Sequence, residues 1–270
     1  MNDPQVVAFL QRMLPRLSLR ERGFRRVRGQ VRKRISRRLS ALSLSDLGAY
    51  ERFIDGHPEE LVELDGMCRI TISRFCRDRE IWTALRQRVF PELAARARTA
   101  GRGNLRALSA GCASGEEPYT LSLLWEFSRP TDCHGLSLLV DAVDADLDLL
   151  ERARRGCYPR GTLRELDSRC IEQAFEPIDG ELRLRERYRA RVRFLCQDVR
   201  EGVPAGPYDL AFARNLPFTY FSEPLQCRVL ADLHGRLRPQ GALVIGAHER
   251  LPDTQLFRPW SDLRAIFVRC

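Results

Sequence analysis

Apolar residues recur every three or four positions over the first hundred residues of the chain. This spacing is typical of amphipathic helices, which bury one face and expose the other. In the arginine-rich stretch 27–42, the spacing leaves the arginines on the outer face. The sequence therefore predicts an all-helical N-terminal domain over residues 1–98. The segments with this pattern are 27–42, 47–54, 59–67 and 81–98.

Beyond residue 99, short apolar runs alternate with helical patterns. This alternation predicts an α/β domain over residues 99–270 with a doubly wound, mainly parallel sheet, and 263–268 fits an edge strand. The apolar runs are 105–112, 136–144, 192–198, 208–215 and 242–248, and the helical patterns are 117–127, 147–155 and 223–237.

One connection in this domain is too long to be a simple loop. It separates the helical pattern 147–155 from the apolar run 192–198. Polar and apolar residues alternate weakly within it. We therefore predict a small inserted subdomain, a helix with short antiparallel strands, over residues 158–191.

Positive charge is concentrated near the N-terminus. The chain carries a net charge of +9, but residues 12–38 alone hold twelve basic residues and one acid. This segment predicts a docking face for an acidic partner, such as a nucleic acid, an anionic membrane or an acidic protein helix. The alternative interpretation is a solvated helix face.

Cysteine and histidine positions argue against disulfide and metal sites. The nine cysteines are dispersed without a C-x-x-C pair, and the four histidines lack metal-ligand spacing. We expect reduced thiols, a cytoplasmic protein and no metal. The sequence has no signal peptide and no apolar run of the roughly 18–20 residues that a membrane helix needs. The serine-hydrolase and P-loop motifs are absent as well.

The turn after the first apolar run of the α/β domain carries the most informative residues. Small residues from Gly111 to Gly115 lead into Glu116 and Glu117. Such turns usually bind phosphate, which two carboxylates would repel. A ligand with an ammonium and a sulfonium fits instead, and S-adenosylmethionine is such a cofactor.

Two further acids follow later strands of the predicted sheet. Ligands bind at the carboxyl ends of parallel strands, where Glu117, Asp144 and Asp198 would meet the cofactor's amino group, ribose and adenine. Each residue also has a plain structural interpretation. Ser114 and Glu117 have the spacing of a capping box, and the two aspartates suit helix caps or turns.

Several segments resemble the bacterial chemotaxis receptor methyltransferases, the CheR family. The most specific is Ser109-Ala-Gly-Cys-Ala-Ser-Gly-Glu-Glu-Pro-Tyr119, which is similar to the family's cofactor loop. The resemblance extends over most of the chain, through 32–50, 72–78, 144–158 and 214–221. It implies a helical N-terminal domain, a Rossmann-like methyltransferase domain that binds S-adenosylmethionine, and an inserted β-subdomain.

The resemblance also implies roles for individual residues. Arg77 and Tyr220 would flank the transferred methyl group, and residues 25–38 would dock on an acidic receptor helix bundle in the cytoplasm. The protein would methylate receptor glutamates as a monomer and release S-adenosylhomocysteine. The predicted cofactor-binding residues are Ser73, Gly111, Glu117, Asp144, Asp198, Val199, Arg214 and Asn215.

The segment 214–221 leaves the methyl acceptor open. It is one residue longer than the family's and contains Pro217, so Asn215-Leu-Pro-Phe218 also resembles the signature of amino-group methyltransferases. The alternatives are therefore a methyltransferase of the same fold acting on an amino group, a small molecule, RNA or another protein, and a cofactor-binding module without turnover.

Overall fold

The computed structural model describes residues 3–128 and 135–270. The chain divides into two compact units, one of residues 1–72 with 219–226 and one of residues 73–218 with 227–270. The first unit contains the helices α1 (Asp3–Met13), α2 (Glu21–Phe24), α3 (Arg28–Ala41), α4 (Leu47–Gly56) and α5 (Glu60–Cys68), with a 3-10 turn at Leu14–Leu17.

A polar cluster is buried within this helical unit. Glu60 is 4% exposed, accepts a hydrogen bond from the Tyr50 hydroxyl at 2.7 Å, and pairs with Arg38 at 2.6 Å. The Tyr50 ring also stacks on Phe9, with centroids 5.8 Å apart. Helix α4 begins after Asp46, whose carboxylate accepts the Ala49 N–H at 2.8 Å. The Asp46 cap and the buried side chains of Leu47, Tyr50 and Ile54 therefore both position this helix in the unit.

The distant segment 219–226 is tied into the same unit by main-chain contacts. Leu19 and Phe221 form an isolated antiparallel bridge, and the Arg20 N–H donates to the Tyr220 carbonyl at 2.9 Å. A Cβ on Gly23 would lie 2.3 Å from the Thr219 carbonyl oxygen, so only glycine permits this approach. Residues 18–24 and 219–222 thus pack backbone to backbone.

The basic segment is only partly available for a partner. Five of its cations form ion pairs inside the unit: Arg12, Arg16, Arg25, Arg28 and Arg38. Arg34 donates to two main-chain carbonyls. Four exposed cations, which we call the basic face, have no ion pair among the described residues: Arg22, Arg26, Lys33 and Arg37.

The second unit is built on a seven-stranded sheet. Its strands are β1 (Asn104–Ala110), β2 (Ser137–Asp144), β6 (Val192–Cys196), β7 (Tyr208–Phe212), β8 (Leu237–Val244), β9 (Phe257–Trp260) and β10 (Leu263–Arg269). The order across the sheet is β6-β2-β1-β7-β8-β10-β9. The first five strands in this order are parallel, and β10 is antiparallel to both β8 and β9.

This order places a topological switch point between β1 and β7. The chain moves outward from β1 to β2 and β6, then crosses back to β7 on the other side. Ser109 on β1 is in register with Phe212 on β7, so both strands end at the same edge. In open α/β sheets, ligands bind at this position.

Helices α6 (Arg79–Ala84) and α7 (Phe90–Thr99) belong to the sheet unit, although we predicted a boundary at residue 98. A π-turn, Leu85–Val89, joins them. Leu93 and Ala97 share one buried cluster with sheet residues such as Leu105 and Leu138. Periodicity shows that a segment is helical but carries no information about the core on which it packs. The division at residue 72 therefore differs from the predicted one.

The region after β2 contains the inserted sheet. Helix α9 (Leu147–Arg155) is followed by β3 (Cys157–Tyr158), α10 (Ser168–Ala174), β4 (Phe175–Ile178), β5 (Glu181–Leu184) and α11 (Glu186–Arg189). These strands form an antiparallel sheet in the order β3-β5-β4. The remaining helices are α8 (Glu116–Ser128), α12 (Pro217–Tyr220) and α13 (Glu223–Arg236).

The predicted fold class is confirmed: a helical N-terminal region, a doubly wound sheet and a small inserted sheet. One detail was wrong. The predicted edge strand lies inside the sheet, because β9, which has only four residues and contains Pro259, covers its outer side. Among the described residues, no helix is both long and apolar enough to cross a membrane.

Candidate active site

Two glycines shape the turn between β1 and α8. Gly111 has φ +82° and Gly115 has φ +92°, a region that favours glycine. A Cβ on Gly115 would lie 2.9 Å from the Ala153 Cβ and 3.0 Å from the Tyr158 hydroxyl. The turn therefore has no room for a side chain at Gly115.

Side chains from two other elements hold this turn in place. The Tyr158 hydroxyl, from β3, donates to the Ser114 carbonyl at 2.7 Å. The Asp144 carboxylate, at the end of β2, accepts the Ala113 N–H at 2.9 Å. Asp144 thus lies beside the turn, as its predicted position requires. Cys112 is buried against Ala142 and Leu150 and therefore has a packing role in the turn.

Glu117 presents a half-buried carboxylate in the first turn of α8. Its Oε1 accepts from the Ser109 hydroxyl at 2.8 Å, and its Oε2 lies 3.0 Å from Arg214 Nη1. Burial raises the pKa of Glu117, while Arg214 and Ser109 oppose that shift. A helix N-terminus and a guanidinium favour the ionised form of the carboxylate and oppose the effect of burial.

The capping box predicted for Ser114 and Glu117 was wrong. The Ser114 hydroxyl donates to both carboxylate oxygens of Glu116, at 3.0 and 2.9 Å. Glu116 is the carboxylate that braces the turn, and Glu117 points to Ser109 and Arg214 instead. The spacing S-x-x-E could not separate these cases, because two adjacent glutamates offer the same group.

Arg214, two residues beyond β7, joins several predicted site residues. Its side chain is only 2% exposed. Beyond Glu117, its Nη2 donates to the Arg77 carbonyl at 2.9 Å and to Asp78 Oδ2 at 2.7 Å. Its guanidinium also lies over the Trp82 ring, 5.4 Å from the centroid. Arg214 therefore brings together Glu117, whose carboxylate is predicted to bind the cofactor, and the backbone of Arg77.

The ends of β2 and β6 lie side by side. The Gln197 N–H donates to the Asp144 carbonyl at 3.0 Å, which places Asp198 near the end of β2. The Asp198 carboxylate pairs with Arg200 at 2.6 Å and accepts its N–H at 2.9 Å. Val199 next to it is buried. Arg200 thus holds the carboxylate that we predicted for the adenine amine.

Glu249 is a site residue that the sequence analysis did not identify. Its Oε2 accepts the N–H groups of Gly246 at 2.6 Å and Asn215 at 2.9 Å. Asn215 has φ +58°, so this contact stabilises an uncommon backbone conformation just after β7. The segment Gly246-Ala-His-Glu249 was the available signal, but nothing local indicated its contact with Asn215.

Two predicted residues do not join these contacts. Ser73 is half-buried at the start of the sheet unit. Tyr220 belongs to the helical unit, where its ring lies 4.9 Å from that of Phe24. The roles assigned to individual side chains stay predictions.

The polar groups at this edge of the sheet suit S-adenosylmethionine. Glu117 supplies a half-buried carboxylate for an ammonium group, and Asp144 supplies an acceptor for ribose hydroxyls. The Arg214 Nε is buried without an acceptor among the described residues, and a carboxylate such as the cofactor's would provide one. An unpaired buried donor costs roughly 1–3 kcal/mol, so the site favours such a ligand.

Comparison with known proteins finds matches to the part of the chain that carries these site residues. The family described as CheR methyltransferase, SAM binding domain, matches residues 71–265. The probable biofilm formation methyltransferase WspC of Pseudomonas aeruginosa is 33% identical over 81% of this chain, which spans 51% of that relative's length. A chemotaxis protein methyltransferase of Listeria monocytogenes is 28% identical over 82% of this chain and 81% of its own length. One of Salmonella typhimurium is 29% identical over 90% of this chain and 89% of its own length.

Proposed function

The chain belongs to the CheR methyltransferase family and uses S-adenosylmethionine, and we propose that it methylates glutamate side chains of chemoreceptors. The names of the chemotaxis methyltransferases among its relatives support this acceptor. The observation that carries the proposal is the arrangement around Arg214. One buried guanidinium links the Glu117 carboxylate, which suits the cofactor, to the main-chain carbonyl of Arg77, the residue we propose for the carboxylate acceptor.

The proposed reaction makes few chemical demands on the protein. A glutamate carboxylate has a pKa near ~4.3 and is already a nucleophile at neutral pH, so no general base is needed. S-adenosylmethionine supplies an electrophilic methyl group. Glu117 binds and orients the cofactor's ammonium end, and Arg77 orients the acceptor by pairing with its carboxylate. Such positioning supplies up to roughly 7–11 kcal/mol of rate acceleration.

Replacing Arg77 by lysine should lower kcat about tenfold or more and leave cofactor affinity unchanged. Lysine keeps the charge but not the planar fork that fixes both carboxylate oxygens. Initial rates with a purified chemoreceptor cytoplasmic domain, and calorimetric binding of S-adenosylhomocysteine, measure the two quantities. A lysine variant with full activity would show that Arg77 does not orient the acceptor.

We assign receptor docking to the basic face. Its four cations are exposed and lack ion pairs among the described residues, whereas other cations of the segment stabilise the helical unit. Unpaired cations lose little on meeting an acidic helix, because no existing ion pair has to break.

Changing the four basic-face residues to glutamine should weaken binding to the receptor domain about tenfold or more at low salt. The effect should shrink as ionic strength rises, because exposed charges are screened. Surface plasmon resonance over a salt series measures both trends. A control variant removes the same charge from four exposed arginines of the sheet unit, Arg86, Arg169, Arg258 and Arg264. Equal weakening in both variants would rule out a dedicated face.

The acceptor itself is tested by transfer of labelled methyl groups into a host lysate and into the purified receptor domain. Glutamate esters release methanol in mild alkali, whereas methylamines do not. We expect protein-bound label that alkali removes and nuclease does not. Alkali-stable label would favour the amino-group acceptor suggested by Asn215-Leu-Pro-Phe218, and nuclease-sensitive label would favour RNA.

A further inference from the structure

The segment that carries Arg77 has an unusual backbone. Cys76 and Asp78, on either side of Arg77, have φ of +53° and +63°. Residues other than glycine seldom adopt this region, and they do so at a cost in free energy. The surrounding contacts must therefore hold the segment in this conformation.

Hydrogen bonds with several elements hold the segment in this conformation. The Arg77 carbonyl accepts from Trp82 Nε1 at 2.8 Å and from Arg214 Nη2 at 2.9 Å. On the other side of the turn, the N–H of Cys76 donates to Thr120 Oγ1 at 3.1 Å. Contacts on both sides of the turn thus hold the Arg77 backbone in place.

Asp78 is the residue that secures Arg214 in this arrangement. It pairs with Nη2 at 2.7 Å, while Glu117 pairs with Nη1 at 3.0 Å. A guanidinium is planar, so its two amino groups keep a fixed relation to each other. Asp78 therefore fixes the Nη2 group that also donates to the Arg77 carbonyl, while Glu117 pairs independently with Nη1.

We propose that Asp78 is a positioning residue which acts through Arg214 to hold Arg77 in the geometry that receives the acceptor. This inference rests on the proposed function, in which Arg77 orients a carboxylate. Asp78 itself contacts neither substrate nor cofactor in this scheme. Its removal should impair turnover while cofactor binding persists.

The test uses Asp78→Asn in the full chain. Asparagine keeps the shape and tolerates positive φ, so the charge is the principal change. We expect kcat for the receptor domain to fall about tenfold and the Kd for S-adenosylhomocysteine to stay within about threefold. Hydrogen exchange at the Phe75 and Cys76 amides should be at least about fivefold faster, because the segment opens more often.

Two further variants separate positioning from general destabilisation. Trp82→Phe keeps the ring under Arg214 but removes the second donor to the Arg77 carbonyl, and we expect a smaller loss of kcat in the same direction. In the double variant Asp78→Asn with Arg77→Lys, kcat should equal that of Arg77→Lys alone to within about twofold. Residues that act through one another are not additive.

The inference is overturned if the two substitutions multiply, if exchange at Phe75 and Cys76 is unchanged, or if cofactor affinity falls in proportion to kcat. These results differ from a failure of the proposed function. If the acceptor proves not to be a glutamate, the exchange and cofactor measurements still decide whether Asp78 holds the Arg77 segment, because neither requires an acceptor.

Discussion

Replacing Glu117 by glutamine should weaken binding of S-adenosylmethionine at least about a hundredfold, or about 3 kcal/mol. Glutamine has the same shape and still accepts from Ser109, so the turn is preserved. The loss comes from the missing charge, since an ammonium group would then meet a neutral amide beside the cation Arg214. Isothermal titration calorimetry with the cofactor measures the change.

The neighbouring glutamate provides the control. Glu116 is buried more deeply than Glu117, at 3% exposed, but its carboxylate accepts from the Ser114 hydroxyl within the turn. Glu116→Gln should therefore alter stability slightly and leave cofactor affinity within about threefold. Equal losses in the two variants would mean that any buried charge in the turn supports binding, and Glu117 would have no specific role.

The affinity should also depend on pH through Glu117. Burial raises the pKa of Glu117 above its ordinary value, and the nearby Glu249 raises it further. Because binding requires the carboxylate, affinity should decline as pH falls through this raised pKa, before an exposed glutamate would protonate. The glutamine variant has no proton to gain at this position, so its weaker affinity should lack this decline.

Replacing Gly115 by alanine should lower the free energy of unfolding by about 2–5 kcal/mol. A residue with a side chain is strained at φ +92°, which costs about 1–2 kcal/mol. The new Cβ would also crowd Ala153, Tyr158 and Phe194, from three different elements, at 2.9 to 3.2 Å. Overpacking of this kind costs about 1–3 kcal/mol more.

Gly101 provides the matched control for the Gly115 substitution. It has φ +65°, but no neighbouring atom lies within 4 Å of the position that a Cβ would occupy. Gly101→Ala should therefore show only the backbone cost, about 1–2 kcal/mol. Urea unfolding with unchanged m-values gives both numbers. If the two variants lose the same stability, the contacts around Gly115 contribute nothing and the turn can relax around a methyl group.

Local pattern was enough to predict most of the fold and one side of the site. The small residues after β1, followed by two glutamates, identified the turn and the charge of its ligand. The ends of β2 and β6 could be predicted because parallel strands present their carboxyl ends at one edge. In each case, the informative residues lie within a few positions of the element that places them.

The parts that could not be predicted depend on contacts between distant loops. Asp78 and Glu249 meet Arg214 and Asn215 from segments far away in the chain. Hydrophobic periodicity describes each helix or strand but not which loops converge. For the same reason, α6 and α7 were predicted as helices, but their packing in the same buried cluster as the sheet was not predicted.

The bridge between Leu19 and Phe221 also constrains the order in which the two units complete their folding during synthesis. The helices of the first unit leave the ribosome early, but main-chain partners of residues 18–20 lie at 219–222. Contacts this remote in sequence close slowly, because a long loop must be ordered first. The first unit to be translated is therefore completed only after most of the second has emerged.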